Sequence, residues 1–198
     1  MENGMLFCTD SCIFLTACTE LLTAWLLQSE REAVMLRIYH KLGDICFSEL
    51  MKVYEEGNVE NGRELYPDLA DNLQILRAEQ DFYAYLRDDF FCAEHAVYAV
   101  WEENGVYLSA LRLEPFQNGL LLEALETRPG YRQRGYAKKL MDASLPIFSK
   151  PIYSHVKKTN TPSLRTHKAY GFEVYADYAV FVDGSVDHKY YTLVSGKA

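Results

Sequence analysis

One stretch constrains this chain more than any other: Glu126-Thr-Arg-Pro-Gly-Tyr-Arg-Gln-Arg-Gly-Tyr-Ala-Lys-Lys-Leu-Met141. A largely apolar run from Leu120 to Leu125 enters it and Pro129-Gly130 turns the chain. Arg132-Gln133-Arg134 then forms a basic loop, and Gly135 opens a helical pattern. A strand, a basic glycine-containing turn and a helix make a site for a phosphorylated ligand. The N–H groups of a helix's first turn have no partner inside the helix, and its dipole places partial positive charge there. Gly135 lets the backbone come close to a ligand, and Ala137 keeps the first turn small. Taken alone, such a turn also serves nucleotides.

The charge distribution supports an anionic ligand. The chain has 198 residues and a formal net charge of -8, which argues against non-specific nucleic-acid binding. Yet Arg128 to Tyr170 holds ten Lys or Arg and one acid, Asp142, leaving ten bases and 27 acids elsewhere. An acidic protein thus carries one basic region, and the glycine turn lies inside it. A solvated basic face is the competing reading. The hydrophobic fraction, 49% with 15 Tyr, suffices for a sizeable core of one domain with an added segment. Five cysteines without paired spacing suggest no disulfide framework and no zinc site, so no metal is expected and a reduced cytoplasmic setting is.

Residues 1–33 form an N-terminal extension. Cys12 to Leu27 is mostly apolar but is interrupted by Glu20 and is shorter than a spanning helix. It reads as an amphipathic helix packing Leu15, Cys18, Leu22, Trp25 and Leu26, with no membrane association expected. A membrane-facing helix and a start at Met35 are the alternatives. A strand is expected over Met35–Lys41, then a helix over Ile45–Glu56 and a loop over Gly57–Gly62. A long helix follows, capped by Asp71 or Asn72 and reaching about Phe91, with Leu73, Leu76, Phe82, Tyr85, Leu86 and Phe90 inward. Strands over Ala96–Glu102 and Val106–Leu113 flank an Asn104-Gly105 hairpin turn. A turn over Pro115–Gly119 leads to a strand over Gly119–Thr127. Beyond the motif, a helix runs from Gly135 toward Ser149, with Pro146 kinking or ending it. A strand over Pro151–Val156 precedes a short helix with Thr161 as N-cap, Pro162 at its first position and Gly171 after its end. Strands over Phe172–Tyr175, Tyr178–Val182 and Tyr190–Val194 close the sheet, the last two joined by a turn at Asp183-Gly184.

Two motifs stand in order in this α/β (α+β) pattern. Arg132-Gln-Arg-Gly-Tyr-Ala137 fits (Gln/Arg)-x-x-Gly-x-(Gly/Ala), and Asn160-x-x-Ser-Leu, ending in Tyr170-Gly-Phe172, fits a later "Asn…Ala…Gly-Phe" segment. Together they resemble the GNAT superfamily of acyl-CoA-dependent N-acetyltransferases, over residues 34–198. The resemblance implies a mixed sheet of six to seven strands with helices on both faces, split into a V between the strands at 119–127 and 151–156. Acetyl-CoA would lie in the V. The backbone of Arg132, Gln133, Arg134, Gly135, Tyr136 and Ala137 would cradle its pyrophosphate, with Lys138 and Lys139 reaching its adenosine phosphates. Main-chain groups of Leu125 and Thr127 and the side chain of Asn160 would hold the pantetheine arm.

Amide formation from a thioester needs a neutral amine, an acid for the leaving thiolate and a donor for the oxyanion. Glu123 is the expected base. On a period-two strand it shares a face with Leu121, Leu125 and Thr127, and many GNAT members carry an acid at this point. Glu126 points the other way unless a bulge reverses the strand. The family's usual acid is a Tyr, but the corresponding position here is His167, with Tyr170 one turn on along the same helix face. The resulting expectation is transfer of an acetyl group to a primary amine of a small molecule or peptide, by a monomer or homodimer. A GNAT-fold acyl-CoA sensor or interaction module without turnover is the alternative.

Overall fold

A computed structural model describes residues 34–181 and 184–195. The expectations for Cys12–Leu27, including its packed face and its membrane alternative, lie outside the described residues. Among the described residues no helix is long and apolar enough to cross a membrane.

The described residues open with β1 (Val34–Tyr39), a 3-10 turn, α1 (Phe47–Val53), α2 (Glu55–Leu65) and α3 (Asp71–Asp88). β2 (Val97–Glu103), β3 (Val106–Phe116) and β4 (Gly119–Thr127) form an antiparallel meander. α4 (Tyr136–Ser144), β5 (Ile152–Lys157), α5 (Thr161–Ala169), β6 (Phe172–Ala176), β7 (Ala179–Val180), β8 (Val186–Asp187) and β9 (Tyr190–Ser195) complete it. The main sheet has seven strands in the order β1-β2-β3-β4-β5-β9-β6. The hairpin signal is realised: Asn104 at φ 53° and Gly105 at φ 78° give the two left-handed residues a tight turn demands.

The central strands are buried on both faces, which makes two cores. On one face Tyr98, Val100 and Ala110 pack against Leu50 and Val53 of α1, Leu86 of α3 and Phe90 of the 3-10 turn after it. On the other, Leu111, Leu113 and Leu122 meet Leu140 and Met141 of α4. Alternation along β3 sends Ala110 one way and Leu111 the other, as a period-two strand requires.

Four sequence expectations change. The segment Gly57–Gly62 is not a loop but the body of α2. Asn58 is buried there, its Nδ2 donating to Met51 Sδ at 3.4 Å, and a Cβ on Gly62 would stand 2.8 Å from the Gln74 backbone. Polar and glycine residues that read as a turn instead allow α2 to lie against α3. On α3, Gln74 and Ala78 take the inner face, with the Gln74 Nε2 satisfied by the Leu69 carbonyl at 2.9 Å. Leu73 and Leu76 are therefore turned outward, 46% and 49% exposed. The cap residue of α3 is Ala70, without a side-chain bond, and Asp71 is already helical. Finally, Ala179–Val180 does not join the main sheet but pairs with β8 in a separate two-stranded ribbon. Of the Asp183-Gly184 turn, Gly184 alone is among the described residues, at φ 79°.

α4 ends at Ser144 and passes into a 3-10 turn over Leu145–Ile147 that contains Pro146, as the proline foretold.

Candidate active site

The site begins where the sheet opens. β4 and β5 pair in parallel only at Leu120–Leu122 with Ile152–Ser154. From Glu123 onward β4 keeps only β3, and from His155 onward β5 keeps only β9. Two strand edges then face each other with main-chain donors and acceptors that have no strand partner. Such edges accept an extended polar chain.

A bulge decides what lines the opening. Arg112 pairs with Glu123 and Ala110 with Glu126, so two residues of β4, Ala124 and Leu125, stand opposite one of β3. Ala124 has φ 50°, and its carbonyl accepts from the Tyr54 hydroxyl at 2.9 Å. Leu125 and Thr127 therefore do not share the face of Glu123. Leu125 packs with the opposite core, and Thr127 pairs with Ser109 on that side. Glu126 instead comes round to the side of Glu123, because the extra residue reverses the alternation.

The turn after β4 carries the other end of the site. Gln133 at φ 60° and Gly135 at φ 80° bring the chain into α4, where Gly135 is the N-cap with no side-chain bond. The first bond across the cap runs from Lys139 N to Gly135 O at 2.9 Å, so the preceding N–H groups have no partner within the helix. A Cβ on Gly135 would meet nothing within 4 Å, so the glycine serves the left-handed backbone and an open approach.

The basic side chains of the turn are held by neighbours. Arg132 bonds Glu56 at 2.5 Å and the Thr127 carbonyl at 3.2 Å, and Arg134 lies 5.2 Å over the Tyr131 ring. Lys138 pairs with Asp142 at 2.7 Å, while Lys139 pairs with Glu103 at 3.5 Å, and Glu103 also accepts from Tyr136 at 3.1 Å. Asn160, not Thr161, caps α5, its Oδ1 accepting from Ser163 N at 3.1 Å. Thr161 is the first helical residue.

Glu123 does not stand alone. Its carboxylate meets Arg112 at 3.3 Å, and the Arg112 guanidinium lies over Tyr85, Phe82 and Phe90 at 5.0, 5.5 and 5.8 Å. Glu114, two residues along β3 and 8% exposed, is pushed up to about 7 by burial and by the charge of Glu123, against the pull of Arg112. Across the opening, His155 of β5 is pushed down by burial and held neutral, partly countered by Glu123. Sequence reasoning missed Arg112, Glu114 and His155. Arg112 and Glu114 alternate with Leu111 and Leu113, which reads as one wet and one dry strand face. Both faces are buried.

His167 and Tyr170 both have partners of their own. His167 is 2% exposed, stacks edge-on against Phe172 and bonds the Ser163 carbonyl through Nδ1 at 2.9 Å. Burial pushes its titration down. The Tyr170 hydroxyl bonds Lys138 O and Asp142 Oδ1, both at 2.8 Å, and its ionisation is pushed up by burial and that carboxylate. No hydrogen bond or ion pair among the described residues joins either side chain to Glu123. Among the described residues no group of three His, Cys, Asp or Glu is placed to hold a metal ion.

Comparison with known proteins agrees with this architecture. No curated protein matches the sequence. Solved structures do match in fold. The PaiA N-acetyltransferase of Thermoplasma acidophilum in complex with coenzyme A superposes with TM-score 0.52 at 14% identity, over 81% of this chain and 98% of that one. A putative GNAT-family acetyltransferase of Bacteroides thetaiotaomicron gives 0.56 at 17%, over 83% and 88%. The ribosomal-protein-S18-alanine N-acetyltransferase of Escherichia coli gives 0.52 at 12%, over 83% and 95%. The family model for the acetyltransferase (GNAT) family matches residues 62–172, from the second helix through the splayed strands to Phe172. With that match spanning the motif turn, the bulged strand and the opening beside it, the chain belongs to the GNAT acetyltransferase family.

Proposed function

We propose that the unit over residues 34–198 transfers an acetyl group from acetyl-CoA to a primary amine of a small molecule or peptide, by direct attack in a ternary complex. The observation that carries this reading is the opening between β4 and β5, with the uncapped start of α4 near one end and Glu123 at the other. The donor's pyrophosphate is an anion suited to the N–H groups of Gln133 to Lys138. Its amide-bearing arm suits the edge of β4 at Leu125 and Thr127 that no strand covers, and Asn160 is the side chain proposed to hold the same arm. Because the basic side chains of the turn already have partners, the backbone supplies most of the anion binding.

The acceptor nitrogen must lose a proton before it attacks. Glu123, just before the bulge, receives the ammonium and passes its proton toward water. Attack on the thioester carbonyl forms the carbon–nitrogen bond. Collapse then breaks the carbon–sulfur bond, and the second nitrogen proton goes with the departing thiolate. Tyr170 keeps its proton, and Tyr170 and His167 are the two side chains proposed to serve that step. Exposed free thiols at Cys46 and Cys92 suit a cytoplasmic enzyme.

Thermal unfolding tests the binding half. Acetyl-CoA raises the Tm, and Gly135→Glu removes the shift. No shift at millimolar acetyl-CoA refutes the reading. The enclosed position of His167 favours a second reading, a GNAT-fold module that binds acyl-CoA without turnover. Thiol release with a panel of amines decides: binding with no release on any amine selects the module.

A further inference from the structure

The polar groups around Glu123 are incomplete in an informative way. Arg112 Nε, Glu114 Oε1 and both ring nitrogens of His155 are buried and have no hydrogen-bond partner. Buried polar atoms almost always have one, so orphans call for an explanation. These come from two strands, β3 and β5, on either side of Glu123. Register places Arg112, Glu114, Glu123, Tyr153 and His155 on one face of the sheet, just where β4 and β5 part. The group is therefore a buried polar cluster drawn from both sides of the split between β4 and β5.

Charge selects what the cluster takes. Arg112 is already paired with Glu123 and covered by three aromatic rings, so it has little left for an anion. Two carboxylates against one guanidinium leave room for one more positive charge. Beside it are apolar faces: Phe116 and Phe181 stand edge-on to His155, with ring centroids at 5.3 and 5.6 Å. They suit the carbon chain of an amine.

Resting on the acetyltransferase reading, we propose that Glu114, Glu123 and His155 form a cation subsite that takes the ammonium of an alkylamine acceptor. Burial and the charge of Glu123 push Glu114 up to about 7, so it gives its proton to solvent as the ammonium arrives. The step balances as a neutral carboxyl plus an alkylammonium giving a carboxylate–ammonium pair and one solvent proton. The groups facing Glu114 are Arg112 on its own strand, Glu123 on β4, His155 on β5 and Tyr85 on α3, with Tyr54 and Tyr98 behind Arg112. Of these, Glu114 is the one whose proton is poised near neutrality. His155 is already neutral there, and burial pushes the tyrosines up.

The test uses the full chain without acetyl-CoA, with n-butylamine as the cation probe and butyrate as the anion probe. Infrared difference spectra at pH 6.5 should lose the C=O stretch of one protonated carboxyl on n-butylamine addition. Calorimetry in buffers of different ionisation enthalpy should register the released proton. Glu114→Gln, which copies the neutral carboxyl in shape, should abolish both signals and weaken n-butylamine binding about tenfold at pH 8. Binding without proton release, an unchanged release in Glu114→Gln, or preference for butyrate would each overturn the proposal. So would absence of amine binding in a protein whose Tm acetyl-CoA still raises, an outcome that leaves the acetyltransferase reading standing. Amine binding with proton release, but no response to acetyl-CoA, would support the subsite and remove the acetyltransferase reading.

Discussion

The two ends of the opening are built by different means. The turn at Gln133–Gly135 is made of consecutive residues, its donors are main-chain N–H groups, and its conformation rests on two left-handed residues. The cluster around Glu123 is made of side chains from three strands, buried, and dependent on strand register and one bulge. A backbone site is local, so changing most of its side chains should do little. A side-chain site is collective, so each member should matter in proportion to the charge it leaves unpaired.

Five substitutions put that contrast to the test. The largest expected effect is from Glu123→Gln, which should lower kcat by roughly 100- to 1,000-fold while the acetyl-CoA-dependent Tm shift persists. A loss of that shift would merge the two ends into one. Gly135→Glu should do the reverse, abolishing the shift and reducing kcat/KM by about 100-fold, since both the left-handed backbone and the open approach are lost. Gly62→Val lies away from both ends. Driving a side chain into the Gln74 backbone should cost about 2 kcal/mol in urea unfolding, with acetyl-CoA still binding.

Glu114 links stability to pH. Its folded-state titration, raised to about 7, lies above that of the unfolded chain, so the native state holds the extra proton between the two. Stability from this group is present at low pH and is lost as pH rises through about 7. Urea unfolding of the wild type should lose about 1 kcal/mol more than Glu114→Gln between pH 6 and pH 8. Equal losses would mean that Glu114 is already ionised. The smallest effect belongs to Tyr170→Phe, which should cost about 0.5 kcal/mol through its lost hydrogen bonds, read by urea unfolding. A fall in kcat beyond that loss, with KM unchanged, checks the part in thiolate departure proposed for Tyr170, and an unchanged kcat removes it.

Legibility follows the same division. The strand–turn–helix around Gly135, the Asn104-Gly105 hairpin and the end of α4 at Pro146 all depend on neighbours in sequence, and each is readable there. The split between β4 and β5 was implied by the family resemblance rather than by any local pattern. What escaped needs knowledge of partners. Ala124 carries no glycine-like signal, yet its bulge moves Glu126 to the side of Glu123 and takes Leu125 and Thr127 away. Gly57 to Gly62 looks like a loop until α3 is placed against it. Arg112 looks solvated until α3 and the turn after it lay aromatic rings over its guanidinium, and Glu114 until its burial is known. Asn160 was expected at the ligand and Thr161 at the cap. The cap fell to Asn160 because its Oδ1 reaches Ser163 N.

The hydrogen bonds of Tyr170 have a mechanical meaning. α4 continues from β4 and α5 from β5, so the two helices belong to opposite jaws of the opening. The Tyr170 hydroxyl, at the end of α5, grips α4 at Lys138 and Asp142. It is a tie rod between the two jaws. The gap is thereby set before anything enters it, and a guest entering the mouth need not spend its binding energy holding the two strands at the right distance.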